Sequence, residues 1–190
     1  MLRSSLLFVL LAFSANASAQ EFDYSWLSFG YGQTELDDID VDGDGFGIGG
    51  SLAIAENFHI FAGYSQSSFD FDVDGTEWGA GIGYNTPLSD VVDFVATLSY
   101  EYVEVDAPGL PSSIDDNGFG LGVGLRWWAT PKFEVDAGIQ DVDLSDSGDD
   151  TGFVLGGWYY FTPAFSLGLS GSFTDDATGY SLAGRFFFGQ

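Results

Sequence analysis

The chain has 190 residues, with 29 acidic side chains against four basic ones, and a formal net charge of −25 at pH 7. This balance excludes nucleic acid as a partner, because so few cations cannot form a basic surface. The chain has no cysteine, which excludes structural disulfides and an acylated amino-terminal cysteine.

Residues 1–19 are predicted to be a secretory signal peptide. Arg3 supplies the positive start, an apolar run extends from Leu6 to Phe13, and the small residues Ala17 to Ala19 form the cleavage site. The apolar run is too short for a transmembrane helix, which needs about 20 residues. Cleavage leaves residues 20–190 as one domain, with three basic residues against 29 acidic ones and a net charge of −26.

The segment from Gly45 to Ala55 alternates strictly between apolar and very small residues. Successive side chains of a β-strand point to opposite faces of the sheet. One face therefore carries Phe46, Ile48 and Leu52, while the other is made of Gly, Ser and Ala. An apolar outer face and a small-residue inner face are typical of a narrow barrel that has lipid as its outer solvent.

Similar alternation recurs along the chain. It predicts ten strands at roughly 22–32, 45–55, 58–69, 76–86, 91–104, 117–129, 133–143, 152–162, 165–174 and 178–188. Short turns alternate with longer connections, as in barrels whose periplasmic turns are short and whose outward loops are long. We therefore predict an all-β, transmembrane, antiparallel up-and-down barrel of ten strands, with eight as the alternative count, in the outer membrane of a Gram-negative bacterium.

Charged residues are predicted to form a polar network inside the barrel lumen. The turn at residues 130–132 places Arg126 opposite Asp136, with Glu134 one diagonal step away, and Arg185 and Glu101 also point inward. The network either stabilises the lumen or forms a charged constriction of a pore, and we favour the first. The inward aromatic residues Trp26, Trp128, Trp158 and Phe187 are candidates for occluding the lumen.

The motif Asp-x-Asp-x-Asp-Gly occurs three times in the predicted outward loops. It comprises Asp38, Asp40, Asp42, Asp44, Asp70, Asp72 and Asp74. Oxygen-rich loops of this kind suit calcium, which takes six to eight hard ligands. An EF-hand is excluded, because its glutamate position is occupied by Gly49, Ser51 and Gly81. The alternative interpretation is that these carboxylates lie at solvated strand ends and bind no metal.

Catalysis is not predicted. His59 is the only histidine of the chain and follows a periplasmic turn, so a nucleophile in the outward loops would lack its usual base.

The residues from Gly49 to Tyr64, followed by those from Gly81 to Asp90, resemble a family of small outer-membrane barrels often labelled quorum-factor-like, within the porin-like and OmpA-like group. The resemblance implies location in the outer membrane or its vesicles and no cofactor. We therefore expect a non-enzymatic surface protein that presents acidic extracellular loops, with a narrow cation-selective pore as the alternative. The expected partners are outer-membrane lipid, lipopolysaccharide and the barrel-assembly machinery, and the expected state is a monomer.

Overall fold

The computed structural model describes residues 22–36, 41–110 and 112–188. Strand-forming alternation dominates this part of the chain and produces ten β-strands. They are β1 Trp26–Leu36, β2 Val41–Ala55, β3 Phe58–Phe69, β4 Val73–Ser89, β5 Val92–Asp106, β6 Ile114–Thr130, β7 Phe133–Leu144, β8 Gly148–Thr162, β9 Phe165–Phe173 and β10 Ala177–Phe187. A single turn of 3-10 helix, Asp70–Asp72, connects β3 to β4. Within the described ranges, no helix has the length and apolar character to span a bilayer.

Each strand pairs antiparallel with its sequence neighbours, and β1 pairs with β10 to close the barrel. Closure leaves no strand edge unpaired, as a lipid environment requires. The prediction of a closed antiparallel barrel of ten strands is therefore confirmed, and the eight-stranded alternative is wrong. Each strand forms a hairpin with the next strand along the chain, and these successive hairpins account for the ten strands.

Alternation along the strands sorts the side chains into two environments. The outward face is apolar and exposed, with Leu27, Leu121 and Leu169 as examples. Most inward-facing residues are buried or half-buried, and Arg126, Glu134 and Arg185 are fully buried. This two-sided pattern matches the predicted orientation of these residues. The buried core of the molecule therefore lies in the interior of the barrel.

The two ends of the barrel differ from the predicted boundaries. At one end of the barrel, where β1 begins and β10 ends, the connections are two residues long. Examples are those between β2 and β3 and between β6 and β7. At the opposite end the strands extend further than predicted, so that Asp42, Asp44 and Asp74 lie on strands and not in loops. Continued pairing explains this, because Asp42 and Asp44 face Glu35 and Gln33 in the β1–β2 ladder.

The amino-terminal segment, Phe22–Ser25, is not the first part of β1 as predicted. The strand begins at Trp26, and the segment before it turns into the lumen, where Tyr24 and Ser25 are buried. The Asp23 carboxylate accepts a 2.7 Å hydrogen bond from the Ser25 amide, which forms a tight local turn. The turn directs Phe22 and Tyr24 into the lumen, where Tyr24 contacts the inner face of the wall. The predicted signal peptide lies outside the described residues.

Candidate functional site

The charged residues at the periplasmic end of the lumen form a compact hydrogen-bonded group. Arg126 on β6 donates a 2.8 Å hydrogen bond through Nε to Oε1 of Glu134 on β7, and its Nη2 lies 2.8 Å from the same oxygen. The second carboxylate oxygen of Glu134 accepts a 2.8 Å hydrogen bond from the Tyr160 hydroxyl on β8. Both charged side chains are fully buried, so their mutual contact offsets the cost of removing them from water.

Asp136 and Arg185 extend this group toward β8 and β10. Oδ1 of Asp136 accepts a 2.6 Å hydrogen bond from the Trp158 indole Nε1. The Arg185 guanidinium carbon lies 3.3 Å from the centroid of the Trp158 ring, within cation–π distance. Gly156 makes room for the carboxylate, because a Cβ atom there would lie 2.7 Å from Oδ2 of Asp136. The indole of Trp158 therefore links an acidic and a basic side chain.

Large aromatic side chains pack inside the lumen at this level. Trp26, Trp128, Trp158, Tyr160 and Phe187 form one buried cluster, with Phe22 and Ala183 packed against it. Tyr160 lies 4.9 Å from Trp128 and 5.5 Å from Phe187, measured between ring centroids. The four aromatics predicted to occlude the lumen thus belong to one packed cluster, together with Tyr160. They and the charged group occupy the same periplasmic part of the barrel.

The amino-terminal segment packs beside these residues. The Tyr24 ring stacks on His59 at 4.6 Å, and its hydroxyl donates a 2.9 Å hydrogen bond to Asp93. The Arg126 guanidinium carbon lies 4.6 Å from the Phe22 ring centroid and 4.7 Å from that of Tyr24. Burial raises the pKa of the Tyr24 phenol, which keeps it protonated as a hydrogen-bond donor. His59 thus has an aromatic packing role here.

Glu101 does not join the arginines, although the sequence groups them in one network. It lies further along the lumen, where its Oε1 accepts a 2.5 Å hydrogen bond from Ser99. Gly120 on the neighbouring strand provides the space, because a Cβ atom there would lie 2.6 Å from the Ser99 hydroxyl and 3.2 Å from Gln140 Nε2. Glu77 also points inward and accepts a 3.4 Å hydrogen bond from Ser65. The middle of the lumen is therefore polar and acidic.

Apolar side chains narrow the opposite end. Val41 and Phe69 form a buried cluster, and Leu36, Val73, Val103 and Val105 pack against it. These residues lie on β1 to β5, at the ends of the strands that the longer connections join. The polar middle of the lumen is thus bounded by an aromatic cluster at one end and, on the β1–β5 side, by this apolar cluster at the other.

The aspartates predicted to bind calcium are placed as follows. Asp38 and Asp40 lie outside the described residues. Asp42 and Asp44 are exposed on the outer face of β2, where Asp44 accepts a 3.0 Å hydrogen bond from the Tyr31 hydroxyl. Asp70 and Asp72 are exposed in the 3-10 turn, and Asp74 accepts a 2.8 Å hydrogen bond from Ser68. Among the described residues, no three acidic or histidine side chains are grouped closely enough to hold a metal ion.

With the geometry established, comparison with known proteins identifies the family. Residues 5–173 match the model of the outer membrane protein beta-barrel domain. The chain belongs to this family. The outer-membrane barrel resembles the β domain of the Bordetella autotransporter BrkA, with a TM-score of 0.52 and 11% identity over 87% of this chain and 100% of that one. This likeness shows a shared barrel fold.

Two further solved structures are similar to the outer-membrane barrel. The KdgM porin has a TM-score of 0.49 and 13% identity over 85% of this chain and 99% of that one. Neisserial surface protein A has a TM-score of 0.43 and 16% identity over 87% and 96% of the two chains. No curated protein matches the chain in sequence.

Sequence reasoning missed three contributors to the site, which are Tyr160, Asp93 and the amino-terminal segment. The two-residue period already placed Tyr160 on the inward face, two positions after Trp158. Asp93 lies opposite Arg126 in the β5–β6 ladder, so its position follows from strand register. The amino-terminal segment had no such signal, because its alternation of aromatic and polar residues also fits a strand.

Proposed function

We propose that this outer-membrane barrel is a closed membrane anchor that presents an acidic outer rim, and that it is neither an open pore nor an enzyme. One observation carries the proposal. The periplasmic part of the lumen is filled, since Arg126, Glu134 and Arg185 have no solvent-exposed surface and five aromatic side chains pack beside them. A water-filled channel at this level would leave such side chains accessible to solvent.

The size of the barrel agrees with a closed lumen. Barrels of eight strands are just filled by side chains, whereas those of sixteen leave an aqueous channel. Ten strands enclose slightly more space than eight, and here large residues occupy it. Trp26, Trp128 and Trp158 are each less than 5% exposed. Fully buried charged pairs of this kind are more typical of a structural network than of a hydrated filter.

The function of a closed anchor would lie at its outer rim. Glu35, Asp42, Asp74, Asp143 and Asp149 are exposed at strand ends on this side. Carboxylates at headgroup level repel the phosphates of lipopolysaccharide unless divalent cations bridge them. We therefore propose that the rim binds calcium or magnesium, including through Asp38, Asp40, Asp44, Asp70 and Asp72, and contacts lipopolysaccharide through these ions. A monomer in the outer membrane or its vesicles, inserted by the barrel-assembly machinery, suffices for this role.

Single-channel recording tests the proposal. The mature chain is refolded, its folding is checked by heat-modifiable migration in gel electrophoresis, and it is inserted into a planar bilayer. We expect no discrete conductance steps from the folded protein. Regular steps from every inserted barrel would overturn the closed-anchor proposal.

A narrow cation-selective pore is the second candidate function. Glu77 and Glu101 favour it, because both point into a middle section of the lumen that is lined mainly by Ser and Gly. Carboxylates facing a lumen select for cations. In this case the recordings would show steps whose reversal potential follows the cation gradient.

A further inference from the structure

The periplasmic part of the lumen has two unequal halves. On β6, β8, β10 and β1 the wall itself supplies large inward side chains, namely Trp128, Trp158, Tyr160, Phe187 and Trp26. The wall from β2 to β5 supplies mostly small or short side chains. Apart from the rings of His59 and Phe61 on β3, these are Ser51, Gly83, Asn85, Asp93 and Val95. The wall therefore fills one half of the lumen and leaves space in the other.

The amino-terminal segment occupies that space. Tyr24 packs against Val95, stacks on His59 and donates a hydrogen bond to Asp93, so it contacts both β3 and β5. Phe22 stacks on Trp128 with 6.0 Å between ring centroids, which joins the segment to the aromatic cluster. Each aromatic side chain buries about 150–250 Å². The two rings therefore fill the half that the wall leaves open.

Hydrogen bonds of Ser25 hold the end of the segment to the barrel wall. The Ser25 hydroxyl accepts a 3.2 Å hydrogen bond from the Ala53 amide, and the Ser25 carbonyl accepts one of 3.1 Å from the Phe188 amide. Before Ser25, the contacts of the segment include ring packing, the cation–π contacts with Arg126 and the Tyr24–Asp93 hydrogen bond. These contacts can break without disturbing a strand, because the segment is not part of the β-ladder.

We propose that residues Phe22–Tyr24 are a tethered plug, hinged at Ser25, and that the barrel conducts ions when this plug leaves its seat on Arg126, His59 and Asp93. The inference rests on the proposed closed state of the barrel. In this closed state, aromatic side chains of the wall fill one half of the lumen and the removable segment fills the other. Small cations and water would pass through the vacated half, between β2 and β5.

The test compares three refolded proteins in planar bilayers. The first is the parent chain, and the second carries Phe22→Ala with Tyr24→Ala. The third carries Tyr159→Ala with Phe161→Ala, which removes the same two ring types from the outer, lipid-facing side of β8 at the same end. We expect discrete conductance steps from the plug variant and a silent membrane from the parent and the control. Heat-modifiable migration confirms that each protein is folded.

The outcomes separate this inference from the proposed function. Regular steps from the parent would overturn the closed-anchor proposal itself. A silent parent and a silent, folded plug variant would overturn the plug and leave the closed anchor standing. Steps from the lipid-facing control as well would also overturn the plug, because they would assign the conductance to general loosening of the barrel.

A second measurement applies if the double alanine variant does not fold. The chain has no cysteine, so Tyr24→Cys introduces a single thiol. After this variant has folded and inserted, a positively charged thiol reagent is added from the side of the two-residue turns. We expect modification to trap the segment outside the lumen and to produce conductance steps. A membrane that stays silent after mass spectrometry has confirmed modification would overturn the proposal.

Discussion

Arg126 and Asp136 face each other across the β6–β7 ladder, yet Arg126 forms a 2.8 Å hydrogen bond and a close ion pair with Glu134, the diagonal residue. Glu134 is the diagonal neighbour, two residues before Asp136 on the same face of β7. Diagonal positions in an antiparallel pair are about 7–8 Å apart, which long side chains can span. Asp136 instead accepts the Trp158 hydrogen bond from β8. The register thus brings the residues together, and side-chain length decides which pairs form.

Glu134→Gln is expected to destabilise the barrel strongly. The substitution removes the negative charge beside Arg126 and leaves a guanidinium buried next to a neutral amide. Breaking a buried pair in this way typically costs about 3–5 kcal/mol. The free energy of unfolding, measured by denaturant titration of the refolded protein in lipid vesicles, checks this expectation.

Glu101→Gln is the matched control for that experiment. It makes the same chemical change on an inward-facing residue whose contact is with Ser99 and not with an arginine. We expect a smaller loss, of about 1 kcal/mol. Equal losses from the two variants would show that the Arg126–Glu134 pair has no special weight in stability.

Trp158→Phe is expected to lower the free energy of unfolding by about 2 kcal/mol or more, through lost hydrogen bonding to Asp136 and weaker contact with Arg185. Trp127→Phe makes the same change on the exposed outer face of β6 and should change stability by about 0.5 kcal/mol or less. Denaturant titrations followed by circular dichroism measure both. Similar losses would mean that ring size, and not the link between the acidic and basic side chains, matters at Trp158.

Much of the fold could be predicted from the sequence because strand alternation and turn residues are local signals. The two-residue period assigned Leu121 to the lipid face and Arg126 to the lumen, and both assignments agree with burial. The position of the turn at residues 130–132 set the pairing of Arg126 with Asp136. A barrel of successive hairpins needs little beyond these signals, since each strand pairs with its neighbours in sequence.

Contacts that cross the lumen could not be predicted in this way. Tyr24 and Asp93 are 69 residues apart in sequence, and the alternation of side chains along a strand does not indicate a contact between them. The separation of Glu101 from Arg126 also escaped prediction, because inward orientation gives no depth along the barrel axis. The predicted second strand began after Asp42 and Asp44, because aspartate is unfavourable in strands. In the structure, the pairing of β1 with β2 overrides this preference.

Calcium is expected to stabilise the outer rim if the aspartate motif binds it. We predict that Asp40→Asn with Asp42→Asn lowers thermal stability in millimolar calcium and leaves it unchanged in chelator, because a bound ion stabilises only the folded state. Asp175→Asn with Asp176→Asn, in another outward connection, serves as the control for charge. Melting temperatures in the two buffers provide the measurement. Equal stability of the motif variant and the parent in calcium would remove the metal hypothesis.

Leu121→Arg tests the orientation of the barrel wall in the membrane. Leu121 lies in the middle of β6 with 61% of its surface exposed, on the face assigned to lipid. An arginine near the bilayer midplane costs about 2–4 kcal/mol, so we expect the variant to lose heat-modifiable folding in lipid vesicles. Phe71→Arg is the control, because Phe71 is exposed in the 3-10 turn outside the wall. It should fold like the parent. Normal folding of Leu121→Arg would show that this face of β6 does not contact lipid and that the orientation of the strands is wrong.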